Sequence, residues 1–225
     1  MNKSVICQEL FTFDGDIFKN LFNPFEYPWE ILPHLKDIVR ALVDSGLDGY
    51  ERVGDVLIGS GASIAASAHI DGPAIIGAGC EIRHCAYIRG SVILGDGCVI
   101  GNSSEVKNSI LMDGAQAPHF NYVGDSILGK RAHLGAGAVC SNLRSDGKSV
   151  RIKTVNGTSL DTRLRKLGAI LGDGVEVGCG AVLCPGTVIG ALTDVYPLTV
   201  TRGTYPAHSI VKDTYTTVPK IPTAQ

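Results

Sequence analysis

A six-residue repeat governs what this chain can become. Ile58, Ile64, Ile70, Ile76, Ile82, Ile88, Leu94, Ile100, Val106 and Met112 follow one another at a constant spacing of six. Glycine often comes next, as in "IGSGAS", "IGAGCE" and "LGDGCV". Four places after the aliphatic residue stands a small one: Ala62, Ala68, Ala74, Cys80, Ala86, Cys98 and Ser104. Neither the helical period of 3.6 nor a simple alternation gives this pattern. A hexad repeat supplies one short strand and one turn per unit. The aliphatic side chain points inward, the small residue fits near the corner, and glycine permits the bend. Such coils stack by backbone hydrogen bonds at about 4.8 Å. The expected fold class is all-β, a parallel β-helix.

The repeat is interrupted twice. Its register reads through Pro118 and then slips, because Val123 and Leu128 are five apart; the sixfold spacing resumes at Leu134 and Cys140. A polar insertion follows from 141 to 169, with an alternating piece, "KSVRIKTV". The repeat returns at Leu171, Val177, Leu183 and Ile189. A long excursion from a compact coil is usually functional. The N-terminal region differs: Ile31, Leu35, Ile38 and Leu42 have helical spacing, with Gly46 as a stop. The expected division is a helical cap over 1–52, seated on the mouth of the coil where edge strands would otherwise be exposed. The β-helix then spans 53–200 with its insertion at 141–169, and a closing strand and tail occupy 201–225.

Composition narrows the function. The 28 glycines and an aromatic content of 6% suit many tight turns. A net charge of −2 gives no basic surplus for nucleic acid. The seven cysteines form no CxxC pair, which argues against a disulfide framework or a zinc ribbon. Most stand where neighbouring repeats carry Ala, Val or Ser, and read as small buried apolar residues. "MNKSVICQELFTF" has no long apolar run before a cleavage site, and nothing approaches ~20 consecutive apolar residues. A cytoplasmic protein without a membrane partner is expected.

The stretch "GNSSEVKNSILMDGAQAPHFNYVGDSILGKRAHLGAGAVCSN" resembles one group of left-handed β-helix hexapeptide acyltransferases. It is similar to the acetyltransferase half of the bifunctional bacterial enzyme that makes UDP-N-acetylglucosamine. The matching residues are Gly101, Asn102, Glu105, Lys107, His119, Tyr122, Gly124, Asp125, Gly135, Ala136, Gly137 and Asn142. The resemblance implies a left-handed coil of three hexads, about 18 residues per turn. It implies acetyl transfer from acetyl-CoA to an amino-sugar 1-phosphate (glucosamine or galactosamine), with His119 as general base and no metal. By the same likeness Arg89 and Lys107 bind the phosphate, while Glu105, Tyr122 and Asn142 contact the sugar or its amine. Lys148 comes from a closing loop, and His133 replaces a sugar-contacting Asn. Coenzyme A is expected between subunits near Ala136 and Cys179, in a homotrimer.

One argument for the phosphate site is independent of the likeness. Arg89 and Lys107 each follow an inward aliphatic residue and lie 18 positions apart. In an 18-residue coil they stack on one outer face, about 5 Å apart. With no acid between them, an anion would bridge the two cations, while Glu105 nearby could neutralise one of them or hold a sugar hydroxyl.

Two rival readings exist. A γ-class carbonic anhydrase needs three histidines; His84 and His119 are present, but position 124 is Gly. A non-catalytic β-helix, an assembly or regulatory module of nucleotide-sugar metabolism, would show no acetyl-CoA turnover. No phosphate-cradling Gly-rich loop precedes the repeat, so nucleotidyl transfer is not expected of this chain.

Overall fold

The structure, a computed structural model, describes residues 3–13 and 16–221. Between Val56 and Val211 the chain winds into a left-handed β-solenoid of stacked, parallel, triangular coils. Each coil contributes one short strand to each of three sheets. The first sheet runs from Val56–Gly59 to Thr204–Tyr205, the second from Ser63–Ile64 to Ser209–Val211, and the third from His69–Asp71 to Val200–Thr201. The expected inward ladder is present: Ile76, Ile82, Ile88, Leu94, Ile100 and Val106 are all at most 1% exposed and form one core. The small residues Ala74, Cys80, Ala86, Cys98 and Ser104 are equally buried. A Leu there would overpack a prism only one side chain wide.

The slip in the repeat begins one coil earlier than the spacing predicts. The core continues from Val106 to Leu111 and Ala117, not to Met112 and Pro118. Met112 is buried, but in a second cluster outside the coil. Register partners Tyr87 and Glu105 are 18 residues apart, whereas Glu105 and Tyr122 are 17 apart. The missing residue is at the corner between third and first sheets. Gly90 and Ser91 fill that corner in one coil, with φ of 75° and 54°; Asn108 alone fills it in the next, at 46°. Asp125, at 49°, holds the same corner one coil further on. Asn and Asp tolerate this left-handed conformation better than other side chains.

The described N-terminal residues lie on the flank of the coil and not across its mouth. A 3₁₀ turn, Pro28–His34, runs into the helix Leu35–Ser45, which packs on the flank of the first sheet at Ala74–Ile76 and Val92–Leu94. The reason is a ladder of outward apolar residues on that sheet: Leu57, Ile75, Ile93, Ile110, Ile127 and Ile170. Leu35, Val39 and Val43 cover its upper part together with Trp29 and Phe22. The insertion forms the antiparallel hairpin Arg151–Lys153 and Ser159–Asp161, whose Val150 and Ile152 join the same cluster. At the far end the coil continues beyond 200, through Thr204–Tyr205 and Ser209–Val211. Thr217–Pro219 then pairs antiparallel with Ser209–Val211 and closes that edge. Among the described residues no helix is long and apolar enough to cross a membrane.

Candidate active site

On the third sheet the strands from His69–Asp71 to Tyr122–Gly124 are three residues long, with the middle residue inward. Register therefore places Tyr87, Glu105 and Tyr122 in one outward row. Arg89, Lys107 and Gly124 form a second row beside it, since Lys107 pairs with Gly124 and Val106 with Ile88. The stacking of Arg89 on Lys107 follows as expected. Each cation also has an acid beside it, and Glu105 takes the neutralising role that its position allows. Arg89 Nη1 donates to Glu105 Oε1 at 2.6 Å, and Lys107 Nζ lies 3.9 Å from Asp125 Oδ2. The cause is geometric: Glu105 shares the outer face with Lys107 and reaches diagonally to Arg89, while Asp125 turns back at the shortened corner. The Arg89–Glu105 pair is open to solvent and contributes little stability. Its effect is to hold the guanidinium over the patch, 5.9 Å from the Tyr87 ring centroid.

Asp125 organises the corner. It is 5% exposed and accepts hydrogen bonds from Asn108 Nδ2 at 2.8 Å and Asn142 Nδ2 at 2.5 Å. Asn142 also donates to Tyr122 Oη at 3.2 Å. Burial pushes the Tyr122 phenol above its ordinary value, so it stays a neutral hydroxyl. The glycine of "YVGD" has a steric reason: a Cβ on Gly124 would come within 2.5 Å of Tyr122 Oη and 2.8 Å of Asn142 Nδ2.

His119 ends the strand Gln116–His119 at the corner between the second and third sheets, two turn residues before Tyr122–Gly124. Its imidazole is exposed and makes no hydrogen bond among the described residues. Its backbone heads a row of corner residues. Gly137 N–H donates to His119 C=O at 3.0 Å, Gly180 N–H to Ala136 C=O at 2.8 Å, and Leu198 N–H to Cys179 C=O at 2.9 Å. Ala136 and Cys179 thus lie in file below His119, and their small side chains leave the backbone accessible.

Sequence reasoning missed Asn121. It is 3% exposed and fills the corner position that Ala86 and Ser104 hold in earlier coils. Its amide donates to Gly135 C=O at 2.9 Å and Ala138 C=O at 3.1 Å, and its Oδ1 accepts from His119 N–H at 3.0 Å. A long polar side chain in a column of small residues was the available signal. Asn121→Ala should lower stability by about 2–4 kcal/mol, because two carbonyls and an amide lose their partner. Thermal unfolding checks this.

Two expected residues lie apart from this cluster. His133 is on the second sheet, with Nδ1 2.8 Å from Glu176 Oε2. Lys148 is exposed on the insertion, where its N–H donates to Asp146 at 3.2 Å. No group of three His, Cys, Asp or Glu side chains is placed to hold a metal ion among the described residues.

A family model described as GMPPB C-terminal domain matches residues 87–216, which include this cluster. The chain belongs to that family. The GMPPB C-terminal domain is preceded here by a match to the bacterial transferase hexapeptide repeat at residues 55–90. A protein of Methanococcus maripaludis named bifunctional protein GlmU is 36% identical over 181 residues, covering 79% of this chain and 44% of the relative. A bifunctional sugar-1-phosphate nucleotidylyltransferase/acetyltransferase of Sulfurisphaera tokodaii is 40% identical over 87 residues, covering 39% of this chain and 21% of the relative. The chain therefore spans less than half the length of these curated relatives. Among solved structures, the acetyltransferase domain of PglB from Neisseria gonorrhoeae in complex with acetyl coenzyme A matches with a TM-score of 0.34. That match has 18% identity and covers 69% of this chain and 53% of the other. The hexapeptide-repeat resemblance read from the sequence holds.

Proposed function

We propose that this chain is an acyltransferase that moves an acetyl group from acetyl-CoA to the amine of an amino-sugar 1-phosphate. The observation that carries the reading is the corner at His119. On one side lies the row of Ala136 and Cys179; on the other, two turn residues away, begins the face of Tyr122, Lys107 and Arg89. The pantetheine arm lies along the first and the acceptor against the second. The acceptor nitrogen attacks the thioester carbon, its proton passes to His119, and the CoA sulfur leaves with the C–S bonding pair. An imidazole is suited to this near neutral pH. Arg89 turns from Glu105 to the phosphate, and Lys107 supports the second charge. Asn142 and Tyr122 orient the sugar, with His133 and Lys148 closing the site from a neighbouring subunit of a homotrimer. The exposed Leu198, Val200 and Tyr196 give the lower coils an apolar surface that supports such an assembly.

Arg89→Ala and Lys107→Ala should each raise KM for the phosphorylated acceptor by roughly ten- to a hundredfold, the loss of one charge-assisted contact. KM for acetyl-CoA should change little. Steady-state kinetics with phosphorylated and unphosphorylated amino sugars checks this: equal sensitivity of both acceptors would remove the anion clamp.

The internal pairing of Arg89 with Glu105 favours a second reading, a non-catalytic assembly module whose surface charges are already satisfied. It predicts no thiol release from acetyl-CoA with any amino sugar.

A further inference from the structure

Of the seven cysteines, five fit the sequence reading as buried small residues, but Cys85 and Cys179 are exposed. Cys85 is not there for packing. Its φ of 56° puts it at a left-handed corner, which Ser103 and Phe120 also hold in the next two coils at 54° and 53°, and Gly137 and Gly180 further down the same row. A side chain at such a position carries backbone strain, and this one gains no burial for it. What it gains is a neighbour: His84 Nε2 lies 3.2 Å from Cys85 Sγ. The other ring nitrogen, Nδ1, is 2.6 Å from Ser67 Oγ in the coil before. Ser67 Oγ also accepts the Cys85 backbone N–H at 3.2 Å, and the His84 carbonyl accepts Asn102 Nδ2 at 3.2 Å. The ring is thus held from the coil before, and the backbone of the His84–Cys85 pair from both adjacent coils. A pocket of about 500 Å³, lined by His84, Arg83, Glu81 and Ser63, opens on the second sheet beside the ring. None of these groups belongs to the acetyl-transfer site proposed above.

We infer that Ser67, His84 and Cys85 form a nucleophilic thiol site whose substrates are low-molecular-weight disulfides. With Nδ1–H donating to Ser67 Oγ, the lone pair of Nε2 faces the thiol and accepts its proton. The Cys85 thiolate attacks one sulfur of the disulfide, a new S–S bond forms, and the old one breaks. The departing thiolate takes the proton back from His84. No oxidant beyond the disulfide itself is consumed, and the product is a mixed disulfide on Cys85. Attack requires a thiolate, so a fixed base beside an exposed sulfur raises its exchange rate. The chain carries its own reference in Cys179, which is exposed and has no side-chain hydrogen bond among the described residues. Burial pushes the Cys7 and Cys140 thiols up to about 12, which keeps them out of the reaction.

The test follows labelling of the full chain by dithiodipyridine, a neutral aromatic disulfide, with peptide mapping to read each cysteine separately. Cys85 should react ~10-fold or more faster than Cys179 near neutral pH. His84→Ala and His84→Asn should each bring Cys85 down to the Cys179 rate while leaving Cys179 itself unchanged. Unreacted buried thiols in both variants would certify the fold. Equal rates for the two exposed thiols in the unaltered chain would overturn the inference, and so would a Cys85 rate that survives loss of the imidazole.

Discussion

His119→Ala is expected to lower kcat for acetyl transfer by about 10²–10⁴, the usual worth of a general base, while KM for acetyl-CoA stays within a small factor. The separation follows from the architecture. The imidazole is exposed and holds nothing in place, whereas the backbone of His119 carries the contacts to Gly137 and Asn121. Removing the side chain leaves the row of Ala136 and Cys179 intact. Activity should partly recover at high pH, where more of the acceptor amine is already deprotonated. Steady-state kinetics against pH, with circular dichroism as a fold check, reads both effects. A well-folded variant with near-normal kcat at neutral pH would show that His119 is not the base.

The largest loss of stability is expected at Gly101. A Cβ there would overlap the carbonyl oxygen of Pro118 in the next coil. The obstacle is backbone, so no side-chain rotation relieves it, and both strands are pinned by the pairings of Ile100 with Ala117 and Asn102 with His119. Gly101→Ala should cost about 4 kcal/mol or more, in the range reserved for severe mechanisms. Because Pro118 precedes His119, acetyl transfer should fall with it. Gly97→Ala is the matched control. Its Cβ would meet nothing within 4 Å, and only the φ of 66° is unfavourable, so about 1–2 kcal/mol should be lost. Chemical denaturation of both variants tests the contrast, and similar losses at the two positions would refute the close-approach explanation.

Much of this molecule was legible in its sequence, for a physical reason. A coil one side chain wide forces every inward position to repeat, so Ile76, Ile82 and Ile88 announce the fold on their own. The same constraint makes Arg89 and Lys107 neighbours by their spacing alone. What escaped was set by departures from the repeat. The shortened corners at Asn108 and Asp125 shift the inward residue from Met112 to Leu111, and a pattern search that tolerates one gap places the slip a coil late. The flank position of the helix Leu35–Ser45 was also legible in principle, since Leu57, Ile75 and Ile93 recur every 18 residues just before an inward residue. That slower period marks one sheet of three as buried on both faces. The sequence left Glu105 two roles, neutralising a cation or holding a sugar hydroxyl, and spacing alone could not choose the first. Alternation tells which face a side chain occupies, but long side chains choose partners diagonally across coils.

The most direct test of acetyl transfer is product formation from acetyl-CoA and a panel of amino sugars with and without a 1-phosphate. Thiol release would be followed optically and the product identified by nuclear magnetic resonance. An acetamide on the sugar nitrogen is expected, formed efficiently only from phosphorylated acceptors and lost in His119→Ala. A folded chain that releases no thiol with any phosphorylated amino sugar would contradict acetyl transfer and leave the β-helix as a binding module.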